Sequence, residues 1–462
     1  MEEITKKLAK FCMDLKFEEI PPEVRDRAKY FALDFVGVAA RGTLENSTKA
    51  MYQFIKNLGP TTKGGVIIGT KMRAQHHYSA LANGTSSHSL EMDDVNNEAS
   101  LHPGVAIFPA AFAACEMANK NGKRFIEGVI LGYDVMIRLG KALGPKEHYS
   151  RGFHPTGTCG TFGATATVAK ILGLNEAQMV NAFGIAGSQA AGSMEFLAQG
   201  AWTKRMHPGW AAHNGIIASL LAKKGFKGPS TILEGRDGFL HAYSLNADGN
   251  KVLEGIGSSF EIMRTSIKPH ACCRYMQPPI DGILKIIKEN QIKAEEVEKV
   301  TLGILKAGFP IIVTPEEIKY NPKSVVDAQF SMPFGAAAAI LYGQISLSQY
   351  RAKIIQSPEM KQMMDRVRCV EDPELEKVFP KQWPATAEVK TKDGRTFSTR
   401  IDYPKGDPEN PLSWDELIEK FQNLTKVVYP KDRRNKIITR IRQVEVEGDV
   451  RKFMSLLLKS SA

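Results

Sequence analysis

From Gly104 to Glu116 the chain is apolar on nearly every side of a helical projection, and Phe125 to Leu139 is similar. A helix without a polar face must be surrounded by other elements, because only burial satisfies such a surface. Two further stretches, Gly160 to Leu172 and Ala177 to Gly192, are rich in Ala, Gly, Ser and Thr, which lets helix backbones approach closely. The interior of this protein is therefore expected to be made of helices. Another is expected from Ala211 to Lys224, stopped by Gly225. With 462 residues the chain is long enough for two or three domains and a well-buried core.

The flanks are amphipathic. Ile4, Leu8, Phe11, Cys12 and Leu15 recur at helical spacing, and Pro21-Pro22 opens a helix whose face carries Val24, Ala28, Phe31, Phe35 and Val38 before Gly42 ends it. After about Ser266 the pattern changes. Val300, Leu302 and Ile304 alternate as a half-buried strand does, and residues 388–392 and 395–399 flank Asp393-Gly394, a hairpin signal expected to form a type I′ turn. Helical stretches at 280–289 and 334–342 lie around these strands. Past Pro411 helices return, opened by the capping box Ser413 to Glu416 ahead of Leu417, Phe421 and Leu424. The expected fold is mainly α, in three segments. Residues 1–265 form a large all-helical domain, 266–408 a smaller inserted α+β domain, and 409–462 helices that return to the first.

Composition excludes several classes. The chain is 43% hydrophobic and 24% charged, as in an ordinary globular protein, and has no apolar run near the ~20 residues that span a bilayer. The start, Met1-Glu2-Glu3-Ile4, is acidic and does not read as a secretion signal. Six scattered cysteines suggest neither disulfides nor a zinc knuckle, so the cytoplasm is the expected compartment. A net charge of +11 raises nucleic acid as a partner, but the excess Lys and Arg are spread along the chain with no interleaved aromatics. An anionic small molecule accounts for local positive charge as well, so neither nucleic acid nor membrane is expected as a partner.

Four polar clusters interrupt the small-residue background. His88 to Asp94, followed by His102-Pro103-Gly104, combines histidine and carboxylates at a loop-to-helix junction suited to acid–base work, although a turn and cap would look the same. Arg151 to Gly163 places His154 at the edge of a glycine-rich helix; its glycines do not fit a dinucleotide loop. Trp202 to His213 sets Lys204, Arg205 and His207 among apolar residues just before a helix. That mixture can neutralise a carboxylate and move a proton, and it lacks the spacing of a metal site. Ser266 to Gln277 holds Lys268, Arg274 and the adjacent Cys272 and Cys273, which lack the context of a nucleophile.

Taken in order, these motifs resemble the MmgE/PrpD family. The likeness runs through Ala32 to Gly37, Ala82-Asn83-Gly84-Thr85 with Asp93-Asp94, His102-Pro103, Phe153-His154-Pro155, Thr203-Lys204 with His207, Ile267-Lys268-Pro269 with Cys272-Cys273-Arg274, and Gln329 to Phe334. The family includes 2-methylcitrate dehydratases, cis-aconitate decarboxylases and iminodisuccinate epimerases. The resemblance implies a helical domain, a lid-like α+β domain, a homodimer, and proton chemistry on a small polycarboxylate with no metal or organic cofactor. It puts catalytic residues at His102, His154, Asp93 and Glu91, and substrate-binding residues at Lys204, Lys268, Arg274 and His207. The chain departs from relatives at Cys273, Gln277 and Phe334, where decarboxylases carry other residues. On that count a hydro-lyase of the 2-methylcitrate dehydratase type ranks first. An epimerase, a decarboxylase and a silent carboxylate-binding protein are the alternatives.

Overall fold

The computed structural model describes residues 3–59 and 61–459, so Met1 and Glu2 of the acidic start lie outside it. The protein is mainly helical with small sheets. It forms two compact units: one takes the chain up to Ser89, Asp93–Thr265 and the segment from Ser413 onward, the other Leu90–Met92 and Ser266–Leu412. Among the described residues no helix is long and apolar enough to cross a membrane.

The first unit is built on helices α1 (Ile4–Asp14), α2 (Pro22–Gly42), α3 (His76–Ser87), α4 (Gly104–Ala118), α5 (Gly122–Leu143), α6 (Pro155–Leu172), α7 (Glu176–Gly187) and α8 (Thr203–Lys223). The stretches without a polar face are its centre: α4 buries every residue from Gly104 to Glu116, and α6 buries all 18 of its residues. Around α4 the aromatic rings pack directly, Phe35 on Phe108 at 5.3 Å and Phe112 on Phe125 at 4.6 Å between centroids. Each such pair contributes about 0.5–1.5 kcal/mol beyond the area it buries. Small residues set the spacing elsewhere. A Cβ on Gly84 would lie 2.5 Å from the Cα of Gly209, so α3 and α8 meet backbone to backbone. The helices Trp414–Thr425 and Lys431–Arg442 pack on α2, the first opened by the expected capping box, Ser413 N donating to Glu416 Oε2 at 2.7 Å.

Two sequence expectations shift here. Helix α8 starts at Thr203 instead of Ala211 and carries Pro208 inside it. Proline removes one backbone hydrogen bond, which is why Pro208-Gly209 reads as a break. At that point, however, the missing side chain of Gly209 leaves room for Leu81 and Thr85 of α3, and the packing of the two helices outweighs local propensity. Lys204, Arg205 and His207 consequently sit on a helix and not on a loop. Helix α7 ends at Gly187, short of the expected Gly192. The residues beyond it form a strap in which Gly192 O accepts from His154 N and Met194 N donates to Gly152 O, both at 2.9 Å.

The second unit carries a four-stranded sheet of β1 (Val297–Ile304), β2 (Val367–Glu371), β3 (Ala385–Thr391) and β4 (Thr396–Ile401), in the order β2-β1-β3-β4. Strand β1 pairs parallel with β2 and antiparallel with β3, Val300 lying opposite both Val367 and Val389. The hairpin β3–β4 forms where Asp393-Gly394 predicts it, with a different turn. Gly394 N donates to Thr391 O at 2.9 Å, and Gly394 has φ +90 while Asp393 is not left-handed. The loop is thus a three-residue turn closed by a glycine bulge, since a type I′ turn needs positive φ at both central residues. Helix Gln277–Asn290 covers this sheet, Gly282 letting it approach Ala387 of β3.

Candidate active site

Helix α3 ends at His88, whose backbone N donates to Gly84 O at 3.2 Å, and the His88 ring is completely buried. Its Nδ1 lies 2.9 Å from Oδ2 of Asp93. His102, just ahead of α4, brings its own Nδ1 to 2.9 Å from the same oxygen and to 2.8 Å from the carbonyl of Asp94. A carbonyl only accepts, so His102 holds its proton on Nδ1 and leaves a lone pair on Nε2. Asp94, next in sequence, turns the other way. Its carboxyl accepts from Gly104 N at the start of α4 at 2.9 and 3.1 Å, and from Tyr133 Oη at 2.6 Å. Burial pushes Asp94 up to about 8, with the nearby Asp93 and Asp34 charges adding to the shift and the Tyr133 hydroxyl opposing it.

His154 caps the entry to α6 and His207 sits on α8, and their Nδ1 atoms are 3.0 Å apart. Burial, then the His207, His88, Lys204 and His102 charges, hold His154 well below the ordinary histidine range. Burial and then Lys204 bring His207 down to about 4, and burial brings His88 down to about 4 against the pull of Asp93. These three rings are therefore neutral at pH 7. The positive charge of Lys204, buried near the start of α8, disfavours protonation of all three. The His88 ring is 4.9 Å from that of His102 and 6.0 Å from that of His154, and Phe196 stands 6.0 Å from His154 and 6.2 Å from His207. Asp93, the four imidazoles and Lys204 are all buried in the first unit, and the rings of His88, His102, His154 and His207 form a chain of neighbours. Such a set can bind an anion and move a proton. Arg205, by contrast, donates to Ser47 Oγ at 2.9 Å and belongs to the scaffold.

Glu91, Lys268 and Arg274 belong to the second unit and form pairs there. Lys268 is completely buried with its Nζ 3.6 Å from Glu91 Oε2, and Glu91 has the left-handed φ of 55°. Arg274 donates to Asp407 Oδ1 at 2.5 Å, an oxygen that also accepts from Ser266 Oγ at 2.5 Å, and its guanidinium lies 5.6 Å over the Trp383 ring.

Family models match almost the full length: the MmgE/PrpD N-terminal domain over residues 6–250 and the MmgE/PrpD C-terminal domain over residues 270–444. The chain belongs to the MmgE/PrpD family. It is 27% identical to the cis-aconitate decarboxylase-like protein oryM of Aspergillus oryzae, over 98% of this chain and 97% of the relative. It is 26% identical to a cis-aconitate decarboxylase of Aspergillus terreus, over 98% and 96%. The human cis-aconitate decarboxylase is 25% identical, over 99% and 95%. These relatives are cis-aconitate decarboxylases or decarboxylase-like proteins, the activity that ranked among the alternatives on Cys273, Gln277 and Phe334, and none of them is a 2-methylcitrate dehydratase.

The structure gives those three positions of this MmgE/PrpD chain an architectural context. Gln277 donates to His270 O at 3.0 Å, Cys272 O at 3.2 Å and Cys272 Sγ at 3.2 Å, and its Oε1 accepts from His270 N at 3.2 Å. It clamps the turn beside Cys272 and Cys273. Burial pushes the Cys272 thiol well up, so it is no thiolate nucleophile. Phe334 is fully buried with its ring 5.4 Å from that of Tyr350. Among the described residues His88, Asp93 and His102 are the residues able by type and distance to ligate a cation, their ligand atoms lying within 4.8 Å of one another. Both Nδ1 atoms, however, sit at hydrogen-bond distance from one Asp93 oxygen, so these two nitrogens have a partner without an ion. Sequence reasoning placed His88 at the head of the first polar cluster but gave it no role of its own. The available signal was its position five residues before Asp93 at the end of a small-residue helix.

Proposed function

We propose that this enzyme is a cofactor-free lyase that removes carbon dioxide from a small unsaturated tricarboxylate of the cis-aconitate type. The observation that carries the reading is the Asp93–His102 pair set beside His154, His207 and Lys204, in a chain similar over nearly its whole length to cis-aconitate decarboxylases. When the C–C bond to one carboxylate breaks, carbon dioxide leaves and the electron pair stays on the carbon skeleton. A proton must then reach that skeleton. His102 is placed to bring it. Its Nε2 takes up a proton from solvent and delivers it to carbon, while Asp93, 2.9 Å from Nδ1, stabilises the charged ring in between. Lys204 supplies a fixed positive charge for the remaining carboxylates, where negative charge accumulates in the transition state. His154, neutral and hydrogen-bonded to His207, orients the substrate through its other nitrogen.

A dehydratase and an epimerase would use the same pair to remove a proton beside a carboxylate. Incubating the purified protein with cis-aconitate, 2-methylcitrate and iminodisuccinate in deuterated water, followed by NMR, separates them. The expected result is carbon dioxide release from cis-aconitate with one deuterium in the product. A new alkene without carbon dioxide means a dehydratase, exchange without net loss an epimerase, and no change in any sample a silent binding protein.

We further propose that the enzyme works as a homodimer in the cytoplasm. Six scattered cysteines, none of them in a disulfide, fit a reducing compartment. Dimerisation is supported by exposed aromatics of the first unit: Trp210 stacks on His213 at 4.9 Å, His213 touches Tyr78, and Tyr78 touches the half-exposed Phe54.

A further inference from the structure

We infer that His88 is a positioning residue, whose Nδ1–H fixes the Asp93 carboxylate against the catalytic ring of His102. The inference rests on the acid–base role of His102 proposed above and names a residue that the family motifs do not single out. His88 is 0% exposed, and its Nε2 has no hydrogen-bond partner among the described residues while its Nδ1 lies 2.9 Å from Asp93 Oδ2. A neutral imidazole has one proton. Left on Nε2 it would be a buried donor facing nothing, so it resides on Nδ1 and is donated to the carboxylate. The same oxygen meets His102 Nδ1 at 2.9 Å, and His102 is tethered in turn to the Asp94 carbonyl at 2.8 Å. Two donors on one oxygen set the carboxylate plane, and with it the direction in which His102 presents Nε2.

His148 shows what a merely structural histidine looks like in this protein. It is equally buried, but both of its nitrogens have scaffold partners, the carbonyl of Tyr243 at 3.0 Å and the hydroxyl of Thr158 at 2.8 Å. His88 instead spends its only donor on the carboxylate of the site. Its ring also lies against those of His102 and His154, at 4.9 and 6.0 Å.

The test is a set of variants assayed with cis-aconitate for kcat, KM and melting temperature. His88→Leu fills the volume without a donor; His88→Asn places an amide N–H near the position of Nδ1; His88→Gln places it near Nε2. Misplaced outer partners of a catalytic group cost about 10–100-fold. His88→Leu and His88→Gln should therefore lose about that much kcat with KM within about 2-fold. His88→Asn should recover most of the loss. If His88→Leu does not fold, the Asn and Gln pair decides alone. Wild-type kcat in folded His88→Leu or His88→Gln, or a His88→Asn variant as slow as His88→Gln, would overturn the inference. His102→Asn is the control: if it turns over normally, the acid–base reading itself falls, whereas a dead His102→Asn beside an unaffected His88→Leu removes only the role of His88.

Discussion

His154 and His207 face each other Nδ1 to Nδ1 at 3.0 Å, so one proton serves both rings. One ring donates and the other accepts, and neither gains a charge cheaply, since burial and Lys204 disfavour it. If His154 orients the reacting substrate through its other nitrogen, His154→Ala should weaken substrate binding and, through misplacement, lower kcat by about 10²-fold. Steady-state kinetics and calorimetric titration on the folded variant check this. A variant with unchanged kcat removes His154 from the catalytic set.

Lys204 should behave differently. Its charge is proposed to act on bound substrate and on the transition state alike, and truncating one partner of a buried charge pair costs roughly 2–5 kcal/mol. Lys204→Ala should therefore lower kcat/KM by about 30-fold or more, with KM rising as kcat falls. A normal KM would argue that Lys204 touches no substrate carboxylate.

Activity should not depend on a divalent ion. The Nδ1 atoms of His88 and His102 both lie 2.9 Å from Asp93 Oδ2, and an ion held by these atoms would have to displace both imidazole protons from Asp93. Overnight dialysis against a strong chelator should leave kcat unchanged. Loss of turnover restored by one particular ion would overturn this reading.

The elements legible in the sequence were those whose burial leaves a periodic mark. Helix α4 is apolar all round, and the β3–β4 hairpin alternates about Asp393-Gly394. The start of α8 was hidden because Pro208-Gly209 reads as a break, and only the close approach of Gly209 to α3 explains why the helix continues. The strap after Gly187 was hidden because its small residues suit a helix equally well. In the site, His102, His154, Lys204 and His207 stand out singly as polar residues in apolar surroundings. Their pairing does not: His154 and His207 are 53 residues apart, and no periodicity connects them. His88 was obscured because a histidine at a helix end looks like any other cap.

The exposed aromatics of the first unit bear on assembly. Trp210 lies parallel to His213, with 3° between the rings, yet remains 39% exposed, and Phe54 is 49% exposed. If this surface is the dimer contact, Trp210→Asp combined with Phe54→Asp should convert a dimer to a monomer in light scattering at micromolar concentration. A monomeric wild type, or a doubly substituted protein that stays dimeric, would place the contact elsewhere or nowhere.

Asp94 makes the stability of the protein fall as pH rises from the unfolded value of 3.8 to about 8. Its pKa is raised from 3.8 to about 8 by burial, so the folded state holds a proton that the unfolded chain releases. The stabilisation from that proton is complete below the unfolded value and is lost as pH climbs through the folded one. Glu116 and Asp134, each raised by burial to about 7, act in the same direction over a lower range. The buried histidines act oppositely: His88, His148 and His207, lowered to about 4, contribute fully above the unfolded value of 6.5 and lose that contribution as pH falls toward 4. Above about pH 7 their part no longer changes, and the remaining loss belongs largely to Asp94. Asn at this position is neutral at every pH and can still accept from Tyr133 Oη and Gly104 N. The melting temperature of the wild type should therefore decline between about pH 7 and 8.5 more steeply than that of Asp94→Asn. Parallel curves over that interval would mean that Asp94 is ionised in the folded protein.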